Sequence, residues 1–191
     1  MAQPPTRIDQ HPALSELAEL VHEALGQDRH QTTLMLASQL GVPEVEVIRC
    51  LPDGASTELD IGRWEELVRS FETLGKVHVI LSSGAATLEA VGEFGRFSST
   101  EGFFNVQSQS LDMHIRSKEL ASVFAVRKPS HVDGHETVSF QFYDRRGAAA
   151  FKVFLTFGGR DPSAEIAGRF AQLAGQFRKD DPSAAQGLPA D

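Results

Sequence analysis

The sequence predicts an α+β domain in which short N-terminal helices precede a large antiparallel β-sheet meander, closed by a C-terminal helix. Three observations carry this. From Pro12 to Leu74 apolar residues recur at helical spacing, from Val77 they alternate, and from Ser163 the helical spacing returns. The connections inside the alternating part are short and carry Gly or Asp, as hairpins require.

The elements follow in order. Residues 1–11 are polar and Pro-rich and are expected to fray, as is the tail 180–191. Between them, 12–179 reads as a single domain: a helical part over 12–74, a sheet over 77–157 and a helix over 163–178. Leu14, Leu17, Leu20, Val21 and Leu25 form one helical stripe, and Leu34, Leu36, Ala37 and Leu40 a second. Val45, Val47, Ile48 and Leu51 mark a third helix, and Trp64, Leu67, Val68 and Phe71 a fourth. The strands are V-H-V-I-L, A-T-L-E-A-V-G-E-F, F-F-N-V-Q-S-Q-S, L-D-M-H-I-R, A-S-V-F-A-V-R-K, T-V-S-F-Q-F-Y and A-F-K-V-F-L-T-F. Ala164, Ala167, Phe170, Leu173 and Phe177 give the last helix its apolar face.

Composition narrows the function. The chain has 191 residues, 41% hydrophobic and 23% charged, the proportions of an ordinary globular domain. A formal charge of -8 argues against a surface devoted to nucleic acid. No apolar run approaches a membrane span and the first residues lack the apolar core of a secretory signal, so a cytoplasmic protein without membrane partners is expected. The single cysteine, Cys50, excludes an internal disulfide, a thiolate zinc cage and covalent haem attachment, and reads as a buried apolar residue. Leu36 to Leu51 has the outline of a helix-turn-helix, but its second helix opens P-E-V-E-V-I-R. Glu44 and Glu46 against Arg49 leave that helix net negative, opposed to DNA. Gly41 is instead a left-handed helix stop and Pro43 opens the next helix.

The stretch Gly102 to Pro129, with D-G-H-E-T-V-S-F-Q-F-Y-D-R-R-G after it, resembles the haem-utilisation carriers of the HutX/ChuX type and a single half of the duplicated HemS-type haem-trafficking proteins. The resemblance lies in Phe103-Phe104-Asn105-Val106, in Met113-His114-Ile115, in the strand Phe124 to Pro129 and in the hairpin Phe142 to Gly147. It extends to the preamble Leu36 to Pro52. It implies a haem-binding protein for haem-iron utilisation that carries haem reversibly, an expected homodimer, and partner proteins that donate or receive haem.

On L-D-M-H-I-R, alternation puts Leu111, Met113 and Ile115 on one face and Asp112, His114 and Arg116 on the other. A lone His between charged residues is by itself a solvated strand residue. With the resemblance, His114 is the candidate axial ligand, Arg116 or Arg127 a propionate partner, and Phe103, Phe104 and Phe124 an apolar wall for the porphyrin. The chain departs from the family pattern at Ser82, Glu89 and Phe103, where relatives carry His, His and Tyr ligands. His78 or water is then expected opposite His114.

The other histidines carry less. His131 and His135 flank a hairpin with Asp133 at a spacing matching no structural zinc pattern, and His11, His22 and His30 lie on or beside amphipathic helices. Asp144-Arg145-Arg146-Gly147 reads as a hairpin turn. No acid-base constellation, P-loop or dinucleotide motif is present, so catalysis has little support in the sequence. Two alternatives to a carrier stay open: a haem-degrading enzyme, and a regulatory or protein-interaction member of the fold that has lost haem ligation.

Overall fold

A computed structural model describes residues 13–180 except 133 and 157. The expected frayed ends, 1–11 and 180–191, lie outside the described residues apart from Asp180, as do His11 and Asp133.

The helical part holds α1 (Leu14–Gln27), α2 (Thr33–Leu40), α3 (Glu44–Arg49) and α4 (Trp64–Ser70). Local chemistry sets their ends. Thr32 Oγ1 accepts the Met35 N–H at 3.1 Å to start α2, and Gly41, at φ 68°, stops it in the left-handed region. Pro43 then precedes α3. The apolar stripes are narrower than the sequence suggests: Leu17, Val21, Leu36 and Ala37 are buried, whereas Leu14, Leu20 and Leu34 are exposed. Cys50 is buried as expected, and burial raises its thiol above the ordinary range.

The strands are β1 (Ser56–Leu59), β2 (Lys76–Ser82), β3 (Thr87–Glu93), β4 (Phe97–Thr100), β5 (Phe103–Gln107), β6 (Asp112–Arg116), β7 (Leu120–Pro129), β8 (Glu136–Asp144) and β9 (Ala149–Phe154), followed by α5 (Ala164–Gln176). All described pairings are antiparallel, and the architecture is the α+β arrangement of helices, sheet and helix. Two details correct the sequence reading. β1 falls inside the segment 12–74 expected to be wholly helical, and the single meander is two sheets: six strands in the order β1-β7-β8-β9-β2-β3, and three in the order β4-β5-β6. β9 returns to pair with β2, which leaves β4 to β6 outside the larger sheet.

One face of the large sheet (Val77, Val79, Val123, Phe140, Phe142, Val153), the inner face of the small sheet (Phe104, Val106, Met113, Ile115), Phe71, and Phe170 and Leu173 of α5 share the main core. The opposite face of the large sheet carries Phe124, Val126 and Tyr143, covered by Val45 and Ile48 of α3 and by Leu51. Burial of both faces explains the unbroken apolar run Val123 to Val126 on β7, whereas β8 lines the second face with buried Ser139 and Gln141.

A buried polar seam runs beneath α3. Glu44 accepts from Thr33 Oγ1 at 2.6 Å and pairs with Lys152, while Tyr143 donates to Gln141 at 2.6 Å and Gln141 to Ser139 at 3.0 Å.

Candidate functional site

The small sheet sorts its side chains by register. Cα partners Ser98 and Asn105, Asn105 and His114, and Phe103 and Arg116 are directly opposed, so each pair shares a face. With Phe104, Val106, Met113 and Ile115 turned into the core, the outer face carries Ser98, Phe103, Asn105, Asp112, His114 and Arg116. The alternation expected on β6 is therefore the alternation found.

The outer face is organised around His114, whose side chain is 55% exposed. Its Nδ1 lies 2.7 Å from Asn105 Oδ1, and Asn105 Nδ2 donates to Ser98 Oγ at 3.1 Å. Asn105 itself is buried. Nε2 points outward, with Asp112 Oδ1 at 3.6 Å. The Phe103 ring stands nearly perpendicular to the imidazole, 6.4 Å between centroids at 83°. The Arg116 guanidinium carbon lies 5.2 Å from the Phe103 centroid. The result is an accessible imidazole nitrogen beside an aromatic ring and a cation, on an open surface.

The other expected site residues lie elsewhere. Phe104 faces the core, edge-on to Trp64 at 5.2 Å. Phe124 is 2% exposed on the large sheet, beneath α3. Arg127, on β7, pairs with Glu136 at 3.0 Å. His78 lies on β2, on the face of the large sheet turned away from the main core, 3.0 Å from Glu89. His78 and His114 thus point away from one shared core on two different sheets. The register correction is physical: an alternating pattern says which residues of a strand share a face, not which sheet that face belongs to. Asn105 and Ser98 were missed as site residues, because their value comes from cross-strand opposition that sequence spacing does not encode.

Other sequence candidates settle as local structure. Asp144 Oδ1 accepts the N–H groups of Arg146 and Ala148, the expected hairpin turn. His30 Nδ1 lies 3.0 Å from the Ser130 carbonyl, and His135 lies 3.3 Å from Asp161. Among the described residues no group of three or more His, Cys, Asp or Glu could hold a metal ion.

The profile of the haem utilisation ChuX/HutX family matches residues 57–173, more than half of the chain. The chain belongs to this family. The match runs from β1 into α5 and takes in both sheets and the whole outer face around His114. Among curated proteins, the chain is 24% identical over 163 residues to the intracellular haem transport protein HutX of Vibrio cholerae, covering 84% of this chain and 81% of that one. Among solved structures, the haem-binding protein ChuX superposes with a TM-score of 0.71 at 24% identity, covering 82% of this chain and 97% of that one. The haem-degrading enzyme ChuS of Escherichia coli O157:H7 superposes with a TM-score of 0.74 at 20% identity. This chain covers 51% of it, with 94% of this chain aligned. The ChuX/HutX fold therefore recurs in a protein about twice as long.

Proposed function

We propose that this protein is a cytoplasmic haem carrier that binds haem reversibly on the outer face of the small sheet, with His114 Nε2 as axial ligand to iron. The observation that carries the reading is the contact at 2.7 Å between His114 Nδ1 and Asn105, which turns Nε2 to solvent beside Phe103 and Arg116. Phe103 offers an apolar flank to the macrocycle and Arg116 a partner for a propionate. Membership of the ChuX/HutX family and similarity to an intracellular haem transport protein support haem as the ligand and an intracellular location. No described helix is long and apolar enough to cross a membrane.

A ligand on an open sheet keeps one side exposed, whereas small-molecule sites typically enclose most of their ligand. A homodimer supplies the missing wall in this reading. The large sheet ends at β3, whose outer edge is unpaired among the described strands, with Leu88, 63% exposed, and Val91, 47% exposed, on its two faces. An isologous pairing of two such edges is the simplest use of that surface.

The test is a ferric haem titration of the apoprotein followed by the Soret band, on wild type and His114→Ala. Saturation near one haem per chain that is lost or spectrally altered in the variant supports the carrier and its ligand. Unchanged saturation keeps the carrier and moves the ligand, with His78 next. No specific binding overturns the reading and leaves the regulatory alternative. Sedimentation of wild type against Leu88→Lys reads the dimer.

A further inference from the structure

We propose that Asn105, anchored by Ser98, is a positioning residue that holds His114 as the Nδ1–H tautomer and so leaves the Nε2 lone pair bare. The inference deepens the haem reading, because that lone pair is what an iron would take. It stands on geometry present in the haem-free protein.

A neutral imidazole carries one ring proton, and the acceptor at each nitrogen decides where it sits. Two self-consistent arrangements exist here. In the first, His114 Nδ1–H donates to Asn105 Oδ1 while Asn105 Nδ2 donates to Ser98 Oγ, and Nε2 needs no acceptor. In the second, the Asn105 amide is flipped, Nδ2 donates to a bare Nδ1, and the ring proton moves to Nε2, where the nearest acceptor is Asp112 Oδ1. The distances favour the first. A separation of 2.7 Å suits a short N–H···O bond, whereas 3.6 Å from Nε2 to Asp112 is too long for a hydrogen bond. The second arrangement asks an N–H···N contact to close to 2.7 Å and leaves the Nε2 proton to solvent, without a protein acceptor in reach.

Burial removes water as a substitute partner for the Asn105 amide. Asn105 is 7% exposed, so its amide cannot rely on water and must satisfy both ends within the sheet. Ser98, Asn105 and His114 occupy successive strands at directly opposed positions, which fixes the relay by β-register rather than by a mobile loop. Partners of this kind orient metal-ligating histidines and raise their basicity, and their loss typically weakens metal binding by about 10- to 100-fold.

The test is a long-range proton–nitrogen NMR correlation on haem-free protein labelled with nitrogen-15 histidine, at pH 8, above the ordinary imidazole range. The His114 signal is assigned by its loss in His114→Gln. Wild type is expected to show the Nδ1–H pattern, Asn105→Asp to retain it because a carboxylate only accepts, and Asn105→Leu to revert toward the Nε2–H form that free histidine prefers. Ser98→Ala should give a mixture, and Asp112→Asn no change. An Nε2–H wild type, or a tautomer indifferent to Asn105→Leu, overturns the proposal. The wild-type spectrum decides even where a variant fails to fold. A haem titration of Asn105→Leu should then show affinity lower by about 10- to 100-fold. An Nδ1–H wild type that binds no haem would retire the carrier reading and leave the tautomer assignment standing.

Discussion

The Arg116 guanidinium lies over the Phe103 ring, 5.2 Å from carbon to centroid, on the same open face as His114. Stacked on the ring and unpaired with any carboxylate among the described residues, Arg116 is a cation held in place without being neutralised. Arg116→Ala should weaken haem binding by about fivefold to tenfold, the scale of one partly exposed charge-assisted bond. The same substitution should leave binding of the haem dimethyl ester nearly unchanged, because that ligand has no propionate charge. Paired titrations check both statements, and an equal loss with the ester would show that Arg116 acts by packing alone.

Lys152 and Glu44 form the seam between β9 and α3, with side-chain exposures of 16% and 2%. Removing one partner of a buried pair leaves an uncompensated charge, so Lys152→Ala should destabilise the fold by about 3 kcal/mol or more. Replacing both with apolar residues of similar size, Lys152→Met with Glu44→Leu, should recover most of the loss. Chemical denaturation of wild type and the two variants separates the cost of the broken pair from that of the replaced one.

Tyr143 is the sole tyrosine, and burial, reinforced by the Glu44 carboxylate, raises its phenol well above the ordinary range. The unfolded chain releases this proton near about pH 10 and the native state only at higher pH, so native protein binds more protons in that interval. The stability contributed by Tyr143 is therefore complete below the unfolded value and is lost as pH rises through the folded one. Absorbance at 295 nm should show phenolate appearing together with unfolding, and Tyr143→Phe should weaken the alkaline loss of stability.

Phe124 packs against Tyr143 at 6.0 Å beneath α3. Phe124→Ala should cost about 3 to 5 kcal/mol of stability, as other large buried aromatics do. Folded variant should titrate with haem as wild type does. A selective loss of haem affinity at unchanged stability would return Phe124 to the binding surface.

Much of this fold is legible in the sequence. Helical spacing marks α1 to α4 and α5, and apolar alternation bounded by Gly or Asp turns marks seven of the strands, of which β2, β6 and β9 bury one periodic face. β1 and β4 escaped: each is four residues long, too short for alternation to stand out, and each exists because a partner strand pairs with it. On the outer face of the small sheet, the shared side of His114 and Arg116 is legible from alternation on β6, and Phe103 lies in the neighbouring motif. Asn105 was part of that motif, but its role needs His114 placed opposite across β5 and β6. Phe124 misled because β7 is apolar on both faces, so its alternation cannot say which face meets a ligand and which meets α3.

The cover that α3 places over Phe124, Val126 and Tyr143 bears on how this chain can be divided. The family profile begins at residue 57, after α3 has ended, yet the sheet it describes keeps three large apolar side chains and the Lys152 ammonium beneath that helix. A fragment cut at the profile boundary would expose that surface and should self-associate. The folding unit therefore reaches back through α3 and Thr33, whose hydroxyl holds Glu44 in register, to α1, whose Leu17 and Val21 pack on Leu36, Ala37 and Val47.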